Sequence, residues 1–94
     1  MATIGVLTLE IVLQDSHSLK DKRHVVKSLK DRLRGKFNVA VAEIDCQDLW
    51  QRGVVAAVTV SSDRAFAEKV LQSVEDEAAA LLGPELNVAT VEWM

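Results

Sequence analysis

Cysteine is almost absent from this chain. Cys46 is the only one among 94 residues, so no intrachain disulfide and no cysteine cluster for zinc can form. Aromatic side chains are nearly as scarce: Phe37, Trp50, Phe66 and Trp93 are all there are, and the core must therefore be aliphatic. Long apolar runs are missing too, and none approaches the roughly 18 residues that a membrane span needs. The opening MATIGVLTLEIVL has no basic segment and alternates like a strand, which argues against a signal peptide. No linker, repeat or low-complexity tract divides the chain. These absences predict one domain, residues 1–94, soluble and cytoplasmic, with no membrane contact and no cofactor. Its hydrophobic share of 49% and charged share of 27% are ordinary for a globular domain with one modest core.

What is present in abundance is positive charge in one place. His17 to Lys36, HSLKDKRHVVKSLKDRLRGK, holds eight of the eleven Lys and Arg residues and two acids, a local balance of 8 − 2 = +6 in a chain whose total is −3. The spacing predicts an amphipathic helix from about Ser18 to Arg34. At about 100° per residue, Leu19, Val26, Leu29 and Leu33 share one arc, with Val25 at its margin. Lys20, Arg23, Lys27, Lys30 and Arg34 follow i, i+3, i+7, i+10, i+14 and form a stripe beside that arc. Lys22 falls within the apolar arc and is expected to snorkel past the sheet end with its stem buried, ahead of the alternative that it aims at the first-turn region as a ligand group.

Strand-like alternation brackets this helix. Ile4 to Leu13 sets Leu7, Leu9, Ile11 and Leu13 against Val6, Thr8, Glu10 and Val12. Gln14 to Ser18 is a turn in which Ser16 or Ser18 caps the helix, and Gly35 suits its end. Phe37 to Asp45 is a second strand, and its pattern breaks at Glu43, where the strand either leaves the core or carries a bulge. Cys46 to Arg52 connects it to a third strand, Gly53 to Val60, with Leu49-Trp50 as an apolar tip. Val54, Ala56, Val58 and Val60 are expected on one face, with Val58 against the helices. Val55 and Ala57 are expected on the open face, with Ile4, Val6, Ala40, Ala42 and Ile44. Ser61-Ser62-Asp63 opens a second helix with Phe66, Val70, Val74, Ala78 and Leu81 as its buried stripe, and Leu71 and Leu82 nearby. Gly83-Pro84 stops it. Leu86 to Trp93 is the last strand. The order β-α-β-β-α-β with right-handed crossovers predicts an α+β, ferredoxin-like sandwich: a four-stranded antiparallel sheet, order 4-1-3-2, with two helices on one face.

HSLKDKRHVVKSLKDRL followed by FNVAVAEIDCQDLWQR resembles the YlxP-like family of small bacterial proteins, a domain family of unknown function. GVLTLEIVL before these motifs and the second helix after them also fit, so the resemblance covers nearly the whole chain. It implies a ferredoxin-like fold and a gene often found among translation and ribosome-maturation genes. Cys46 departs from the pattern, standing where His is common.

Three constellations could carry chemistry. The stripe Lys20, Arg23, Lys27, Lys30 and Arg34 suits a phosphate backbone, and its bland alternative is a solvated helix face balanced by the acidic second helix. Strands one and three, taken as parallel neighbours, would gather Ser16, His17, Ser18, Lys20, Ser61, Ser62 and Arg64 at one sheet edge as an anion site at two helix N-termini. Against that stands a plain capping role for the serines. Glu43-x-Asp45-x-x-Asp48, with Gln47, could offer oxygens to Mg²⁺, but turn bonds and a cross-sheet ion pair explain it better, and the hairpin is expected opposite His17; the role of Trp50 in this motif is left open. No catalytic residue stands out, since Cys46 has no histidine expected near it. No arginine-bearing phosphate loop of the acylphosphatase kind follows the first strand. The central strands lack the aromatics on which RNA-recognition domains stack bases, so recognition is expected through backbone or shape. The leading expectation is a non-enzymatic RNA- or ribosome-associated domain using the basic helix. A homodimer through the open sheet face or an edge strand is expected beside it, leaving the basic stripe accessible. A homo-oligomeric interaction module without a nucleic-acid role comes second, and a small phosphate-ester or acyl-phosphate hydrolase third.

Overall fold

A computed structural model describes residues 1–94. The elements are β1 (Thr3–Val12), α1 (Leu19–Lys36), β2 (Ala40–Asp45), β3 (Arg52–Ser61), α2 (Arg64–Leu82) and β4 (Leu86–Trp93), with a 3-10 turn at Gly83–Glu85. All pairings are antiparallel and the strand order is β2-β3-β1-β4, the ferredoxin-like sandwich that the element order predicts. The inward set of β1, Leu7, Leu9 and Ile11 with Leu13 beyond it, is buried against Val26, Leu29 and Leu33 of α1 and Leu71, Val74, Ala78 and Leu82 of α2. Aliphatic burial of this kind is the main source of stability in a chain so poor in aromatics and without a disulfide.

Antiparallel pairing sets the remaining geometry. Thr3 lies opposite Ser61, and Val12 opposite Arg52. The end of β3 therefore sits beside the start of β1, and the two helix N-termini lie at opposite ends of the sheet. Taking strands one and three as parallel is thus incorrect. In a β-α-β-β-α-β chain each helix returns the chain to the starting end, while the hairpin reverses it, so β1 and β3 must oppose.

Register also decides which face of β3 is buried. Leu7 pairs with Ala57 and Leu9 with Val55, so Val55 and Ala57 share the helix side with the leucines. Val58 pairs with Val6 and faces away from the helices, as does the exposed Val60 opposite Ile4. The expected faces of β3 are reversed, because both of its faces are apolar and alternation alone does not choose between them.

Smaller differences have local causes. Gly35 lies inside α1 and does not end it; the helix continues through Lys36, and the Phe37 N–H bonds the Leu33 carbonyl. β2 begins at Ala40, not Phe37, and it bulges at Ile44: Glu43 faces Val55 and Asp45 faces Val54. The buried stripe of α2 is Ala67, Leu71, Val74, Ala78 and Leu82, so Phe66 is exposed. Gly5 explains part of that setting. A Cβ there would stand 2.6 Å from Trp93 Cζ3 and 2.7 Å from Leu71 Cδ1, so only glycine lets Leu71 and Trp93 settle against β1. Gly83, at φ 58°, ends α2 in a conformation that costs other residues strain.

Between the helices, Glu77 of α2 receives Arg32 at 2.9 Å and Lys36 at 2.8 Å from α1. The hydrogen bonds from Lys36 and Arg32 hold its carboxyl below the usual glutamate range. Arg32, Lys36 and Glu77 thus tie α1 to α2.

Candidate functional site

The most unusual side chain in the molecule is Lys22. It is 0% exposed, and does not snorkel to solvent as expected. From the buried face of α1 its Nζ donates to the carbonyls of Cys46 at 2.6 Å, Gln47 at 3.1 Å and Arg52 at 3.2 Å. The ammonium has three protons and all three are taken. Glu43 Oε2 stands 3.0 Å from the nitrogen and neutralises it by charge while receiving no hydrogen bond of its own. Lys22 therefore grips both legs of the β2–β3 hairpin.

In the motif Glu43-Asp45-Gln47-Asp48-Trp50, the first three residues build this brace. Glu43 supplies the countercharge. Asp45 Oδ1 accepts from the Cys46 N–H at 2.8 Å. Cys46 adopts φ 60°, a left-handed turn that places its carbonyl on Lys22. Gln51 accepts from the Leu13 N–H through its carbonyl, and its side-chain amide donates to the Gln14 and Ser16 carbonyls. The hairpin thus lies at the same sheet end as His17 and the start of α1, not opposite it, for the same antiparallel reason as above.

Alongside this brace runs a groove between α1 and the edge strand β2. Arg23, Lys27, Lys30 and Arg34 line it, with Val26, Asp31 and Glu43. The helix runs antiparallel to the strand. Arg34 donates to the Val41 carbonyl at one end, and Lys22 meets Cys46 at the other. Twelve helical residues span about 18 Å, and five strand residues span about 17 Å, so the two walls keep pace. Lys27 bonds Asp31 at 2.6 Å, which holds that carboxyl below its ordinary range. Arg23, Lys30 and Arg34 have no carboxylate within ion-pair distance. Four of the five expected cations thus share one concavity. Lys20, exposed near the helix start, is not among its walls.

The proposed anion cluster is not assembled. Ser16, His17, Ser18 and Lys20 lie at the start of α1, whereas Ser61, Ser62 and Arg64 lie at the opposite sheet end. The individual residues have local roles. Ser18 caps α1 by accepting from the Asp21 N–H, and the His17 N–H donates to Asp21. Buried Ser16 donates to the Ser18 carbonyl. Ser61 accepts from the Asp63 N–H, and Asp63 caps α2. Arg64 bonds Glu68 and lies 3.9 Å over the Trp93 ring.

Trp50 escaped the expectation that nothing here could stack. It lies at the hairpin tip with the ring half in solvent, outside the sheet strands where RNA-recognition domains keep their aromatics. No helix is long and apolar enough to cross a membrane.

A family described as a protein of unknown function, DUF503, matches residues 4–92. The uncharacterized protein YlxP of Bacillus subtilis is 39% identical over 90 residues, covering 96% of this chain and 98% of that protein. Among solved structures, the designed protein Foldit4 aligns with a TM-score of 0.56 at 13% identity, over 100% of this chain and 94% of that one. A dimeric ferredoxin-like protein of unknown function from Thermobifida fusca aligns at 0.52 with 15% identity, over 97% and 90%. These structural likenesses concern the fold alone.

Proposed function

This chain belongs to the DUF503 family, whose function is unknown, and on that footing we propose that it is a non-enzymatic RNA- or ribosome-associated domain that binds a phosphate backbone in its basic groove. The observation that carries the proposal is the convergence of Arg23, Lys27, Lys30 and Arg34 on one concavity at the β2 edge. A solvated, self-neutralised helix face would scatter its charges or pair them, and three of these four, Arg23, Lys30 and Arg34, have no carboxylate partner. The opposite edge supports an oriented encounter. Glu68 and Glu75 of α2 flank a second concavity beside Val91 and Trp93 of β4, so a polyanion is attracted at one edge and repelled at the other.

Salt titration of binding to a duplex RNA tests this. Four phosphate contacts, at the DNA coefficient of about 0.9 each, give a slope of log K against log salt of about −3 to −4. Co-sedimentation with ribosomal particles should fall away over the same salt range. Binding that ignores salt would contradict the proposal.

The open sheet face favours one further reading. Ile4, Val6, Val12, Val54, Ala56, Val58, Val60 and Val88 lie on it with few charges, and no helix covers it. A face this apolar is a poor surface to leave in water. We propose that a second copy covers it, through the same patch on each subunit, which would leave the basic groove free. The Thermobifida fusca protein of this fold is described as dimeric. Light scattering at high protein concentration should give a dimer mass, and a monomer mass would count against this contact.

A further inference from the structure

The hairpin is built more firmly than a plain connection requires. One buried ammonium holds three of its carbonyls, Gln51 bonds across to the β1 end, and Asp45 fixes the turn at Cys46. Yet the side chains this frame presents are left in solvent: Leu49 is 48% and Trp50 51% exposed. Apolar tips on mobile loops cost little to leave unpaired, because they can fold back. A rigid tip cannot, and rigidity of this kind lowers the ordering cost of binding something there.

The shape and charge of the tip narrow the occupant. Leu49, Trp50, Gln51 and Arg52 enclose a surface concavity of about 340 Å³. That is four residues, far fewer than the roughly 20 a side of a standard protein interface. It suits a single planar group laid on the indole, with Arg52, whose guanidinium lies 3.9 Å from Glu10, in the lining. Asp48 next to the tip would repel a phosphate, so the contact there is to a base and not to the backbone. The phosphates have their own place. The basic groove leads along α1 toward Lys22 and the foot of this same hairpin, and from Glu43 to Leu49 the chain reaches at most about 20 Å.

We infer that the β2–β3 hairpin is a stacking platform on which Trp50 receives an unpaired nucleobase of an RNA whose backbone lies in the basic groove. The inference rests on the proposed function and narrows its ligand to RNA in which a duplex adjoins unpaired nucleotides. Base–aromatic stacking tolerates every base, so the platform selects unpaired structure and not sequence.

Two labelled RNAs test it, a blunt duplex and the same duplex with an unpaired 3′ overhang of about four nucleotides. The wild-type chain should bind the overhang form tighter by about five- to a hundredfold, the range that one stacked base supplies. Trp50→Ala should bind both forms as wild type binds the blunt one, and Trp50→Phe should keep most of the preference. The indole is exposed, so both variants should show an unchanged circular dichroism spectrum and melting temperature. A wild-type chain indifferent to the overhang, or a Trp50→Ala variant that keeps the preference, overturns the platform while leaving groove binding standing; a protein partner would then be the better occupant of the tip. Failure of the wild type to bind either RNA removes the groove and the platform together.

Discussion

Lys22→Ala should destabilise the domain by about 3–5 kcal/mol, the range for removing one partner of a buried ion pair. At this size the melting temperature should fall by more than about 12 °C. The loss has three parts. Glu43 Oε2, already without a hydrogen bond, becomes a buried charge with no counterion. The carbonyls of Cys46, Gln47 and Arg52 lose the ammonium, with Cys46 keeping the Leu49 N–H as a donor, and each group left unsatisfied costs about 1–3 kcal/mol where water cannot reach it. The four-carbon stem leaves a cavity against α1. Part of this should be recoverable. Adding Glu43→Gln to Lys22→Ala removes the stranded charge, so the double variant should be more stable than the single one, a coupling that a thermodynamic cycle measures. A Lys22→Ala chain as stable as wild type would show that the brace contributes nothing.

The sequence-level expectation for Lys22 went wrong in an instructive way. Its place in the apolar arc was plain from spacing, and an isolated lysine among leucines usually extends its amine to water. The partners that keep it buried lie 24, 25 and 30 residues further along and are backbone carbonyls. No side-chain pattern announces a carbonyl. Glu43, which interrupts the apolar alternation of β2, was the one visible sign, and its pairing with a buried cation accounts for the interruption.

Elsewhere legibility followed how uneven the two faces of an element are. β1 sets leucines against threonine and glutamate, so its inward face could be read. β3 has valine or alanine on both faces, and only its pairing with Leu7 and Leu9 decides the matter. For α2, Phe66 attracted the stripe by its size, but the close approach of Leu71 and Trp93 at Gly5 turns the helix so that Phe66 faces out. Of the candidate site, the cation spacing was legible because it depends on helix geometry alone. That α1 lies along an edge strand, making a groove of the stripe, is a property of the assembled sheet. The anion cluster failed through strand direction, one topological step from which seven residues were misplaced together.

Reversing Lys27 and Lys30 to glutamate is the measurement that reaches the central claim most directly. Both residues line the groove. Lys27 is well exposed and Lys30 partly so, and neither is among the buried residues of the core. The cost to folding should be confined to the Lys27–Asp31 pair and new like-charge neighbours on α1, a few tenths of a kcal/mol each. The cost to binding should be far larger. Two charge-assisted contacts of about 1.5 kcal/mol each are lost, which alone is more than a hundredfold in affinity, and two repulsive charges replace them. The salt slope should drop by about two units, one for each contact removed. Titration of the folded double variant against duplex RNA should therefore show binding lost at moderate salt. Affinity and salt slope equal to those of the wild type, in a variant whose melting temperature is unchanged, would contradict the basic groove as the nucleic-acid site.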